Sequence, residues 1–111
     1  SKILALSKNE EFKNLLKKKK VSNKYVTIFF GTLDNKNNKK LNISFVTKKK
    51  LGNAVKRNKI KRRLRQITNE AVKKLSMKFN YSYLVIAKPT MLNIEYTNIK
   101  ETLFQEFKKI K

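Results

Sequence analysis

The chain has 111 residues, 40% of them hydrophobic, and carries 29 Lys and Arg against 7 Asp and Glu, a formal net charge of +22. It has no His and no Cys, which excludes disulfides, thiolate metal sites and imidazole-based catalysis. A chain of this length supports one modest core and reads as a single domain, 1–111; its apolar content argues against disorder, and its charge points to a polyanionic partner.

Ser7-Lys8-Asn9-Glu10 has the form of a capping box. It is expected to open a helix through about Leu16, with Phe12, Leu15 and Leu16 apolar. The run Lys17-Lys18-Lys19-Lys20 then suits a helix C-terminus electrostatically and can also add phosphate affinity. Tyr25 to Phe30 is rich in β-branched and aromatic residues and reads as a strand. Gly31 to Lys40, with Asp34, Asn35, Asn37 and Asn38, reads as a long hairpin connection. In the next strand Leu41, Ile43 and Phe45 alternate with Asn42 and Ser44, which gives it one buried face.

Lys48 to Arg65 is the densest stretch. Ten of its eighteen residues are Lys or Arg, and the next acid along the chain is Glu70. Gly52 and Asn53 are turn residues that lead into a helix ending near Met77. Ile60, Leu64, Ile67, Ala71 and Leu75 recur at helical spacing and form one apolar stripe. At about 100° per residue, Asn58, Arg62, Arg65 and Asn69 fall on the opposite side. Lys59, Lys61, Gln66 and Lys73 flank them. One face is therefore built for burial, and the other for something wet and negatively charged. A solvated basic face is the bland alternative, but the density of cations and the absence of acids disfavour it. Arg57 sits nearest the stripe, and the alternative reading for it is a neighbour of the apolar face.

Ser82 to Ala87 is nearly all apolar and fits a central strand closed by Lys88-Pro89. From about Tyr96 a last helix carries Ile99, Leu103, Phe104 and Phe107 on one side. The order α-β-β-α-β-α predicts an α+β fold, a small two-layer α/β sandwich. No apolar run approaches about twenty residues, so no transmembrane helix is expected. The N-terminus lacks the apolar core of a signal peptide, so the expected compartment is the cytoplasm, with no membrane partner.

The segment Lys50-Leu51-Gly52-Asn53-Ala54-Val55-Lys56-Arg57-Asn58-Lys59-Ile60-Lys61-Arg62 resembles the signature of the bacterial ribonuclease P protein family. Weaker agreement continues over most of the chain. The resemblance implies a left-handed βαβ crossover and a short extra strand after the first helix, for which Val21-Ser22 is available. It implies a protein subunit that binds a catalytic RNA and precursor tRNA and promotes endonucleolytic removal of the 5′ leader, with no obligate protein partner. Mg²⁺ would be held mainly by the RNA subunit, with no catalytic residue in the protein and no metal bound by its side chains alone.

Carried over residue by residue, the resemblance places RNA contacts at Lys50, Arg57, Asn58, Lys59, Lys61, Arg62 and Arg65. It places a leader cleft at Phe12, Leu16, Val26 and Ile28, where Leu16 and Ile28 stand at positions often aromatic in the family. Phe30 is a further aromatic candidate on the same strand face. The residues agree with a non-catalytic protein: Glu10, Glu11, Asp34, Glu70, Glu95, Glu101 and Glu106 are scattered and form no pair at acid/base or metal-ligand spacing. A small basic ribosomal or other structural RNA-binding protein accounts for the charge but not for this signature. A DNA-binding helix lacks the helix-turn-helix partner it would need.

Overall fold

A computed structural model of the chain describes residues 3–6, 9–33 and 39–110. Five strands form one sheet: β1 (Ile3–Leu4), β2 (Lys19–Ser22), β3 (Val26–Gly31), β4 (Leu41–Val46) and β5 (Ser82–Ala87). Three helices accompany it: α1 (Asn9–Leu15), α2 (Ala54–Lys74) and α3 (Tyr96–Lys109). The spatial order of the strands is β1-β4-β5-β3-β2.

The apolar strand β5 takes the centre. It pairs parallel with β4, from Asn42↔Ser82 to Val46↔Ile86, and antiparallel with β3, from Val26↔Ala87 to Gly31↔Ser82. This corrects the hairpin expected between β3 and β4. A strand buried on both faces needs a hydrogen-bonded neighbour on each side. β5 therefore inserts between the two strands that are adjacent in sequence, and α2 becomes the crossover of a parallel β4–α2–β5 unit. The capping box and most of the β3–β4 connection involve Ser7, Lys8 and residues 34–38, which lie outside the described residues.

The lysine run after α1 also behaves differently from a simple helix end. α1 stops at Leu15, and the amide N–H of Leu16 donates to Phe12 O at 3.1 Å. Lys19 and Lys20 then enter β2, which pairs antiparallel with β3. The extra strand therefore spans Lys19–Ser22 rather than Val21-Ser22 alone. Asn23 makes the β2–β3 turn, its Oδ1 accepting from the N–H groups of Tyr25 (2.7 Å) and Val26 (3.0 Å).

α2 and α3 close one face of the sheet. Val26, Ile28, Phe30, Leu41, Ile43, Tyr83 and Val85 pack there with Ile60, Leu64, Ile67 and Ala71 of α2 and with Ile99, Leu103 and Phe107 of α3. The expected stripe of α2 is the buried one, except that Leu75 ends the helix only partly buried. Thr68 joins the buried face, donating its hydroxyl to Leu64 O at 2.8 Å, which is how a polar residue enters such a stripe without an unpaired donor. α1 lies on the other face, where Leu6, Leu15 and Leu84 form a small second cluster with Phe12, Phe29, Leu33, Val46 and Ile86 around it.

Candidate nucleic-acid interface

The basic stretch folds as a turn that launches α2. Lys49–Leu51 form a 3-10 turn that buries Leu51 and leaves Lys48, Lys49 and Lys50 exposed. Gly52 follows at φ 109°, a conformation side chains rarely adopt; a Cβ there would also meet Lys56 at 3.0 Å. Asn53 caps α2, its Oδ1 accepting from the N–H of Lys56 at 3.0 Å. The cap fixes where the helix starts, and therefore which residues of the first turns point outward.

Asn58, Lys59, Arg62 and Arg65 are exposed. Lys61 is partly buried. Arg57 is also partly buried, and its Nε is out of solvent without a hydrogen-bond partner. The outward face of α2 thus carries cations that no described carboxylate neutralises: the nearest acid along the helix, Glu70, is paired with Lys100 of α3 at 2.7 Å. The hydrogen bond and charge of that ammonium hold the Glu70 carboxyl below the usual carboxylate range. Glu106 is buried and bonded to Lys109 at 2.9 Å. These carboxylates serve the α2–α3 layer. Among the described residues no cluster of His, Cys, Asp or Glu could hold a metal ion, and no helix is long and apolar enough to cross a membrane.

Beside the turn, the sheet face that α1 leaves uncovered forms a groove of about 650 Å³. Its floor includes Thr27, Phe29 and Ile86, and its rim carries Lys20, Lys48, Lys49, Lys50 and Lys88. Lys20 Nζ stands 5.8 Å from the centroid of the Phe29 ring. Lys88 Nζ donates to Asn23 O and, at 3.0 Å, to Ser22 Oγ, which holds it at the groove end. A second hollow, of about 300 Å³, lies where β1, β4, α1 and α2 meet. Phe12 and Phe45 line it together with Lys61 and Arg65.

Three of the expected cleft residues, Leu16, Val26 and Ile28, line neither hollow. Val26 and Ile28 are fully buried against the α2–α3 layer, and Phe30 lies on that same side, 8% exposed. The expectation for β3 was out by one residue, and in a strand a slip of one moves every side chain to the other face. Thr27 and Phe29 are the residues of β3 that face the groove. The signal was available: Thr27 is the polar member of the alternation and marks the less buried side. Phe12 does line a hollow, and Leu16 is 49% exposed at the end of α1.

A family model described as Ribonuclease P matches residues 1–111. The chain belongs to the ribonuclease P protein family. It is 37% identical over 105 residues to the ribonuclease P protein component of Bacillus pumilus, covering 94% of this chain and 85% of the relative. It is 34% identical over 110 residues to the ribonuclease P protein component of Carboxydothermus hydrogenoformans, covering 96% and 90%. The solved structure of the RNase P protein from Staphylococcus aureus superimposes with a TM-score of 0.82 at 27% identity, over 96% of this chain and 94% of that one. The RNase P protein from Thermotoga maritima, at 21% identity, shares the fold with the same TM-score of 0.82. Within ribonuclease P, a tRNA-processing endonuclease, this chain takes the role of the protein subunit. Its basic helix and open groove are features of an RNA-binding protein, and the rival reading as a structural ribosomal protein is not favoured.

Proposed function

We propose that the chain is a single RNA-binding domain that docks on the catalytic RNA of ribonuclease P through the outward face of α2 and holds the unpaired 5′ leader of precursor tRNA on the open face of the sheet. The RNA contacts are Lys50, Asn58, Lys59, Lys61, Arg62 and Arg65, with Lys and Arg meeting phosphates and Arg gripping them bidentately. Arg57 adds a guanidinium whose buried Nε lacks a partner, a donor that docking RNA can satisfy. The leader lies over Phe29 and along Phe12. An unpaired base stacks on an aromatic face for about 1–3 kcal/mol, and Lys20, Lys48, Lys49 and Lys88 sit where the adjoining phosphates run. Leu16 contributes apolar contact at the edge.

The observation that carries this reading is the continuity of the two surfaces. Lys48, Lys49 and Lys50 form both the rim of the groove and the lead-in to α2. RNA bound on the helix and a strand lying in the groove therefore share one positive field. The protein contributes binding energy and positioning. Its described side chains offer no cluster fit for a metal. The Mg²⁺ ions and the cleavage step belong to the RNA, the complex works in the cytoplasm, and no other protein is required.

The test is single-turnover cleavage of precursor tRNA with saturating catalytic RNA and titrated protein. Arg57→Ala or Asn58→Ala should raise the protein concentration needed for leader removal and leave the cleavage rate of the formed complex nearly intact. The reading is wrong if the purified protein cleaves without RNA. It is also wrong if one carboxylate-to-amide variant binds RNA normally and abolishes cleavage, as loss of general acid–base help worth about 10²- to 10⁴-fold would do.

A further inference from the structure

The lysine run after α1 is divided by the pleat of β2. Directly paired residues in a sheet share a face. Lys20, opposite Phe29, points to the groove described above, and Lys19, opposite Phe30, points to the other side. Lys17, Lys18 and Lys19 gather at the end of the sheet where β3 finishes, remote from the Lys48–Lys50 turn, which follows the far end of β4. Two adjoining hollows lie there, of about 450 and 340 Å³, each within the range that accepts a nucleotide-sized group. Lys17, Lys18 and Thr32 line both.

This cluster is held in shape. The stem of Lys18 lies flat across Gly31, where a Cβ would stand 3.0 Å from its Cγ and Cδ. The wall of the larger hollow is Tyr81, set 5.8 Å from Phe30 and 6.3 Å from Tyr83, with Lys78 Nζ 5.1 Å from its ring centroid. No described carboxylate pairs with Lys17, Lys18 or Lys19. A group of like charges at one place, with no acid paired to it among the described residues and folded over a concave floor, is poised for an anion rather than for its own neighbours.

We propose that this concavity is a second phosphate-binding site, which takes the phosphodiesters of an unpaired RNA strand at the sheet end remote from the first groove. It rests on the reading of the chain as an RNA-binding subunit. A strand that reaches both ends gains from effective concentration, because its second contact is intramolecular. The strand can come from a long leader or from a single-stranded segment of the catalytic RNA, since both present the same phosphates.

The variant Lys17→Ala/Lys18→Ala removes the two lysines common to both hollows. A control, Lys74→Ala/Lys108→Ala, removes the same charge at exposed positions on α2 and α3. Fluorescence anisotropy follows binding of the full chain to single-stranded RNA of roughly 5 and roughly 15 nucleotides, lengths that bracket common single-strand sites, and to the catalytic RNA alone. The expected result is that the wild type binds the longer strand more tightly than the shorter. The Lys17/Lys18 variant should lose that gain, with its salt slope on the affected RNA lower by about 0.7 for each phosphate it no longer neutralises. Its binding of the short strand should be unchanged, and the control should match the wild type throughout. A loss on the long oligonucleotide assigns the site to the leader, and a loss on the catalytic RNA assigns it there. Salt slopes equal to wild type on both RNAs would overturn the second site and leave the first intact. Wild-type protein that binds none of the three RNAs would instead overturn the RNA-binding reading itself.

Discussion

On one face of the sheet, α2 and α3 bury Val26, Ile28, Ile43 and Val85 almost completely. On the other, α1 covers Leu84 but leaves Phe29 and Ile86 partly exposed. The difference is one of length. α2 has 21 residues and α3 has 14, whereas α1 has 7. A helix of that size spans about 10 Å at 1.5 Å per residue, and it cannot cover six-residue strands of about 20 Å. The sheet is therefore a core on one side and a floor on the other. What is left open carries an aromatic ring and lysines, chemistry that suits an unpaired nucleic-acid strand better than it suits another helix.

Four substitutions test this contrast. Leu64→Ala on the closed face should have the largest effect, costing about 2–5 kcal/mol of folding stability through reduced burial and the cavity left behind; chemical denaturation measures it. A cost below about 1 kcal/mol would mean that the α2–α3 layer is not the main core. On the open face, Phe29→Ala should weaken binding of an unpaired RNA strand by about 1–3 kcal/mol, the worth of one stacked base. Titration of a leader-like oligonucleotide reads this directly, and unchanged affinity would remove Phe29 from the interface. The smallest effect on folding should come from Arg62→Ala and Arg65→Ala, within about ±0.5 kcal/mol each, because both side chains are exposed. The same variants should lower the salt slope of RNA binding by about 0.7 to 0.9 for each phosphate left without its cation. Unfolding by these two as severe as that of Leu64→Ala would reverse the assignment of the faces of α2.

The residues of α2 were legible in the sequence because a helix repeats every 3.6 residues, and twenty residues of repetition leave little freedom of phase. The stripe from Ile60 to Ala71 and the outward Asn58, Arg62 and Arg65 follow from that spacing. The apolar character of β5 was legible too, whereas Asn53, read as a turn residue, proved to be the cap of α2. The cations of the candidate interface were readable as well, since the block from Lys48 to Arg65 contains no acid.

Strand partners were not readable, because hydrogen-bonded pairing joins backbones and leaves no mark in the order of side chains. The position of β5 between β3 and β4 was decided by the need to pair both edges of a strand buried on both faces. The phase of β3 was a matter of one residue: Val26, Ile28 and Phe30 are as apolar as any cleft residue, and the one local cue was Thr27, whose polarity marks the less buried side. The division of Lys19 from Lys20 has the same cause. Four identical side chains in a row carry no local signal of direction, and the pairing of β2 with β3 sends neighbouring lysines to opposite sides of the sheet.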